Sequence, residues 1–186
     1  MVSVASWGLP RPRRKGPPFY SKSNVVTVLQ QVGVLLELKG ANPFRVRSYQ
    51  NASRTLGGLE EDLWSVTSEG RLTDVKGIGK GIAGLISEAL AEGTWGDIGD
   101  LYTSVPSGLI EMLAIPGLGP KRIKQFHDEL QIESIDQLRV AGENGNLREL
   151  DRMGVKSEQK VLDGIELLKR FSGRRRLDVG ILYGEA

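Results

Sequence analysis

The sequence has no cysteine. That excludes disulfides, cysteine-ligated zinc and thiol nucleophiles together. It has a single histidine, His127, which rules out multi-histidine metal sites and disfavours a serine–histidine–aspartate hydrolase. No apolar run approaches the ~20 residues needed to cross a bilayer. The arginines near the N-terminus are not followed by the apolar stretch of a secretory signal. These absences predict a soluble chain in the cytoplasm with no membrane partner. No segment alternates Val, Ile and Thr with polar residues as a strand would, and kinase and Walker phosphate motifs are missing.

Charge is balanced overall and uneven along the chain. The 186 residues carry 25 Lys+Arg against 23 Asp+Glu, a net charge of +2 that by itself argues for no partner. Residues 1–23 hold Arg11, Arg13, Arg14, Lys15 and Lys22, four prolines and no acid. That composition predicts a disordered or extended basic arm. Residues 24–173 are net acidic and large enough for a core. Residues 173–186, which include Arg174-Arg175-Arg176, read as a tail or truncated linker.

The middle of the chain reads as helices throughout. Apolar residues at 25, 28, 29, 32, 35, 36 and 38 follow a helical period. Gly40-Ala41-Asn42-Pro43 stops that helix, and Pro43 suits the first turn of the next, which runs through Phe44, Val46, Tyr49, Ala52 and Leu56. Further helices are predicted from about 59 to 70, then at 80–91, 107–113, 120–130, 134–141 and 157–171. The fold class is all-α, without a sheet, divided at residues 24–105 and 106–172.

One pattern recurs in this array. Gly77-Ile78-Gly79-Lys80-Gly81 precedes one amphipathic helix, and Gly117-Leu118-Gly119-Pro120-Lys121-Arg122 precedes another forty residues later. A weaker copy, Arg152-Met153-Gly154-Val155-Lys156, precedes the last helix. Each unit is a short helix, a hairpin and a longer helix, and repeats that share a spacing tend to share a structure. Glycines at such a bend supply positive φ or close backbone approach. They also leave the first amides of the next helix bare at its positive dipole end, an arrangement that binds anions. Lys80, Lys121 and Arg122 in the first turn oppose the dipole by a few tenths of a kcal/mol, roughly, and a phosphate at the same place would offset that. A lone Gly-x-Gly is an ordinary turn, and the dinucleotide pattern needs a preceding strand. Two intact copies followed by basic residues favour phosphate-backbone binding. Arg152, where the first glycine should stand, predicts a distorted third hairpin that serves as scaffold, with Lys156 still able to reach a phosphate.

The hairpins resemble helix-hairpin-helix DNA-binding motifs. The wider run resembles the N-terminal region of family X DNA polymerases, the polymerase beta group. It is carried by Leu36-Glu37-Leu38-Lys39-Gly40, Asn42-Pro43-Phe44-Arg45-Val46-Arg47-Ser48-Tyr49, Asn51-Ala52-Ser53-Arg54 and Gly117 to Arg122, and it covers about residues 24–172. The resemblance implies an eight-kilodalton domain that grips the 5′ side of a gap, then a second hairpin domain that holds the primer strand. It implies binding without sequence preference to gapped or nicked duplex on the nucleoid, and repair as the setting. Arg45 and Tyr49 match positions that hold a 5′ phosphate. Sodium or potassium is implied at main-chain carbonyls of Thr73, Val75 and Ile78, and of Leu113, Ile115 and Leu118. Palm aspartates lie beyond such a region, so a polymerase reading needs a palm, for instance on a separate chain. The lyase lysine of the family falls on Leu85, and its phosphate-binding neighbour on Gly81. A deoxyribose-phosphate lyase and a helical protein–protein adaptor stay open as alternatives.

Overall fold

The computed structural model describes residues 7–13 and 16–182. Among them every regular element is helical. Two compact units emerge, Trp7–Val105 and the residues from Pro106 onward.

In the first unit, α1 (Lys22–Leu38) starts at a reciprocal cap. Ser21 Oγ accepts from Asn24 N at 3.2 Å, and Asn24 Oδ1 accepts from Ser21 N at 3.1 Å, so two of the unpaired terminal donors find partners. Its apolar face buries Val25, Val28, Leu29, Val32, Leu35 and Leu36. α2 (Pro43–Gly57) begins with Asn42 capping Phe44 N at 2.9 Å and Pro43 in the first turn, as Pro without an N–H allows. The two helices pack closely at Gly33, where a Cβ would stand 3.2 Å from Gln50 Cγ and 3.7 Å from Tyr49 Cβ. α3 (Leu63–Ser68), a 3-10 turn at Leu72–Asp74, α4 (Lys80–Glu92) and α5 (Ile98–Thr103) complete the unit. Leu56, Leu63, Leu72, Ile82, Ile86 and Leu90 join α1 in one core.

The proline-rich arm differs from its expectation. Phe19 N donates to Leu90 O at 3.0 Å and Tyr20 OH donates to Gly93 O at 3.0 Å. Tyr20 is 3% exposed, with its ring 5.1 Å from that of Trp95. Composition averaged over the arm conceals these two aromatics, which anchor its end to α4. Arg11 and Arg13 are exposed, whereas residues 1–6, Arg14 and Lys15 lie outside the described residues.

The second unit holds α6 (Ser107–Met112), α7 (Pro120–Leu130), α8 (Ile135–Glu143), a 3-10 turn at Leu147–Glu149 and α9 (Val155–Leu182). Its core contains Leu109, Met112, Ile115, Ile123, Phe126, Leu138, Leu147 and Ile165. α9 continues past the predicted stop at 171, because Arg174 to Leu177 are sound helix formers with no proline among them. Residues 183–186 of the expected tail lie outside the described residues. Two glycines let helices close onto backbone here. A Cβ on Gly108 would stand 1.8 Å from Glu133 O, and one on Gly164 would stand 2.8 Å from Ile115 Cγ2 and 3.0 Å from Pro116 O.

Helix propensity alone favours Gly→Ala by up to ~1 kcal/mol. Gly84 in α4 has nothing within 4 Å of its built Cβ, so Gly84→Ala should stabilise by roughly that amount. Gly164→Ala should instead cost about 1–3 kcal/mol through overpacking. Denaturant midpoints of the two variants are expected to move in opposite directions, and movement in the same direction would refute this packing account.

Candidate nucleic-acid interface

Three bends between helices share one hydrogen bond. Ile78 N donates to Val75 O at 3.0 Å, Leu118 N to Ile115 O at 3.1 Å and Met153 N to Leu150 O at 3.0 Å. Each closes a four-residue turn with a positive φ at its third residue: +92° at Gly77, +79° at Gly117 and +57° at Arg152. The apolar residue that follows (Ile78, Leu118 or Met153) is buried as a plug. The expected distortion of the third hairpin is therefore absent. Arginine adopts the left-handed conformation that glycine takes elsewhere, at a cost of roughly 1–2 kcal/mol, and the turn bond keeps its length.

The second glycine has a different role. Gly79 and Gly119 cap their helices in extended conformation, at φ −83° and −106°, which any residue can adopt. A Cβ there, or on Gly154, would meet nothing within 4 Å. Neither backbone angle nor packing calls for glycine at these caps. What its absent side chain leaves is open space in front of the helix N-terminus.

The bare amides differ between copies. At α4 the N–H groups of Lys80, Gly81 and Ile82 have no acceptor among the described residues, while Ala83 N bonds to Gly79 O at 2.9 Å. At α7 Pro120 has no N–H and Arg122 N turns back to Gly119 O at 3.0 Å, so Lys121 N is left. At α9 Ser157 N bonds to Gly154 O at 2.8 Å, leaving Val155 and Lys156. The first hairpin offers the most backbone donors. The others compensate with side-chain cations: Lys121 and Lys156 are exposed and Arg122 is half-buried.

The ion pairs sort the cations further. Arg71 is tied to Glu61 at 2.8 Å and Glu69 at 2.6 Å, and those carboxylates raise its pKa above the ordinary guanidinium value. Arg139 pairs with Glu143 at 2.8 Å, and Lys124 pairs with Asp128. Arg148 reaches Glu158 Oε1 at 2.7 Å, and that buried carboxylate also accepts from Arg148 N at 3.0 Å. This pair fastens the 3-10 turn at Leu147–Glu149 to the start of α9. Arg45, Arg47, Lys76, Lys80, Lys121, Lys156 and Lys160 form no ion pair among the described residues. The unpaired group includes every lysine of the hairpin motifs.

The solvent face of α2 extends the first hairpin. Thr55 Oγ1 lies 3.6 Å from where a Cβ on Gly77 would be, so the hairpin tip abuts the C-terminal end of α2. Phe44, Ser48, Asn51 and Thr55 follow the i, i+4, i+7, i+11 spacing of one ridge. Arg45, Arg47 and Arg54 flank it, and α2 contains no acid. Arg45 stands about 15 Å along the axis from Thr55. Tyr49 is half-buried against the core. Helical spacing had placed Phe44 among the apolar residues of α2, yet it is 76% exposed. Its position at the second residue of the helix, ahead of the first buried turn, was the available signal. Leu85, where the family lyase lysine would fall, is half-buried against the core.

Two of the carbonyls suggested for a monovalent cation are engaged in the turns. Val75 O and Ile115 O each accept one turn bond and retain a second lone pair. Neutral oxygens of this kind suit hard cations. Among the described residues no cluster of His, Cys, Asp and Glu could hold a metal, and no helix is long and apolar enough to cross a membrane.

The sequence of this chain is similar to those of known proteins. A helix-hairpin-helix domain model matches residues 21–95, and a SAM-like helix-hairpin-helix tandem model matches residues 109–166. The second match contains both the Gly117 and the Arg152 hairpins. The chain is 34% identical over 144 residues, 77% of its length, to the DNA polymerase/3′-5′ exonuclease PolX of Bacillus subtilis (strain 168). It spans 25% of the length of that curated relative.

The turn geometry separates the two glycines of each motif. Gly77→Ala and Gly117→Ala should lower stability by about 1–2 kcal/mol, the cost of forcing alanine into the left-handed region. Gly79→Ala and Gly119→Ala should cost less, about 0.5 kcal/mol, the advantage of glycine over alanine at an N-cap. Equal losses at both positions in thermal or denaturant unfolding would contradict this division of roles.

Proposed function

We propose a function from the family to which this chain corresponds, the PolX-like family X DNA polymerases, whose N-terminal tandem helix-hairpin-helix region it carries: it binds DNA through backbone phosphates, without sequence preference, at gaps or nicks. The observation that carries this reading is the pair of bare helix N-termini at Gly79 and Gly119, kept open by glycines that neither conformation nor packing demands. Such amides donate to phosphate oxygens, and contacts of that kind hold a duplex without reading its bases.

Each unit contributes its own set. In the first, Gly77, Gly79, Lys80 and Gly81 grip a phosphate at the start of α4, while Arg45 and the Tyr49 hydroxyl take a further phosphate along α2, the 5′ phosphate at a gap. In the second, Gly117, Gly119, Lys121 and Arg122 grip the backbone, with Lys156 beside the third turn. Sodium or potassium on the carbonyls of Thr73, Val75 and Ile78, and of Leu113, Ile115 and Leu118, would add a positive charge next to each phosphate. Phe44 is the aromatic suited to an unpaired base. Base–aromatic stacking is worth about 1–3 kcal/mol and tolerates any sequence, and a gap supplies a base with a free face. The setting is DNA repair on the nucleoid.

Binding to a one-nucleotide gap bearing a 5′ phosphate should exceed binding to intact duplex, and log affinity should fall linearly with log salt. Lys80→Ala and Lys121→Ala should each reduce that slope by about one and weaken both substrates alike. Phe44→Ala should reduce the preference for the gap, leaving the share due to the 5′ phosphate, while sparing intact-duplex affinity. Equal, salt-insensitive binding to both substrates in fluorescence anisotropy would refute the proposal.

A further inference from the structure

The second unit contains a cationic notch that joins its two hairpins. Gln125 Nε2 donates to Asp151 O at 3.2 Å, and Arg122 Nη1 lies against Met153 Sδ. These contacts bring the tip of the third hairpin to the first turns of α7. Lys121, Arg122, Gln125, Asp151 and Arg152 then line a concavity of about 270 Å³. Arg122 also borders an adjoining cleft of about 510 Å³ that reaches Ser157 and Lys160 on α9.

Arg152 is the residue that needs explaining. It holds a left-handed backbone in the place where the other two hairpins have glycine. Its side chain is 90% exposed, so packing does not hold it there. Its neighbour Asp151 is 83% exposed and 3.5 Å away, a contact of the kind that contributes little in water. A strained residue whose side chain does nothing for the fold points to a ligand outside it. Lys121, Arg122 and Arg152 set three cations against the one carboxylate of Asp151, and Lys124 on the same helix is neutralised by Asp128. Arginine forks suit phosphate oxygens, and Gln125 adds an amide donor.

We propose that the third hairpin is a DNA grip rather than a scaffold, and that Arg152 closes with Lys121 and Arg122 on one internal phosphodiester of the backbone. This rests on the DNA-binding reading above and adds a contact to it that the Gly-x-Gly pattern does not mark. The adjoining cleft gives the strand a path toward Lys160.

Arg152→Gly separates fold from ligand, because glycine relieves the strained turn while removing the cation. The variant should unfold at the parent's denaturant midpoint or above it. Its affinity for a gapped duplex should drop about five- to tenfold at 0.1 M salt, with the salt slope smaller by about one. Arg152→Lys should recover most of the loss. If Arg152→Gly binds like the parent while Lys121→Ala loses affinity, the third hairpin is a scaffold and only the general DNA-binding reading survives. If neither variant changes binding, both readings fail. If the loss with Arg152→Gly disappears on a probe lacking terminal phosphates, the notch holds a strand end and the internal-phosphodiester assignment is overturned.

Discussion

A single hydrogen bond, donated across a four-residue turn and closed over a residue of positive φ, sets up everything else in this molecule. It occurs at Val75–Ile78, Ile115–Leu118 and Leu150–Met153. The left-handed residue reverses the chain within a few atoms, and the next residue drops an apolar plug between the helices. The helix that follows then starts with amides facing solvent. Were the bend longer, loop residues could fold over that end and supply acceptors. The tight turn leaves no chain to do so, and an exposed helix N-terminus follows from backbone geometry alone.

Electrostatics then decides which ends can serve a polyanion. A cation in the first turn works against the helix dipole, so Lys80, Lys121 and Lys156 are mildly unfavourable to the isolated fold. The protein does not remedy this with neighbouring acids. Its ion pairs involve Arg71, Lys124, Arg139, Arg148, Arg152 and Lys169, and none of those among the described residues engages a first-turn lysine. Glu61, Glu69, Asp128, Glu143 and Glu158 instead fix turns and helix faces. The Arg148–Glu158 pair shows this most clearly, since it is the brace that holds the third hairpin's entrance to α9. Local placement of charge matters here, and the net +2 of the whole chain conceals it.

Much of this was legible in the residues. The helices around Val28, Ile86 and Phe126 follow from apolar period, and Gly77 and Gly117 announce a left-handed bend by their spacing from the next helix. What was not legible has a physical reason in each case. Arg152 reads as damage to a motif, because propensity says what a turn prefers and not what it can tolerate when a hydrogen bond and a buried plug hold it. Phe44 counts among the apolar residues of α2 by period, and only its place in the first turn, with no preceding turn to bury it, marks it as exposed. Phe19 and Tyr20 vanish into the composition of a proline-rich arm, although two aromatics suffice to anchor a segment. Gly33 and Gly164 carry no local signal at all, since the atoms that would crowd a side chain there belong to residues distant in sequence.

The second glycine of the hairpin motif gives the strongest link from this geometry to a ligand. A glycine demanded by φ or by a neighbouring atom is explained by the fold. Gly79, Gly119 and Gly154 are not: the caps at Gly79 and Gly119 are extended, and a Cβ on any of the three would meet nothing within 4 Å. Serine or aspartate at such a cap would accept from the bare amides and stabilise the helix by a few tenths of a kcal/mol, roughly, relative to glycine. Placing glycine there forgoes that acceptor three times over. The forgone acceptor and the uncompensated lysine beside it are two departures from fold stability with one remedy, an external anion that accepts from the amides and neutralises the cation. A phosphate of the DNA backbone meets both requirements in a single group.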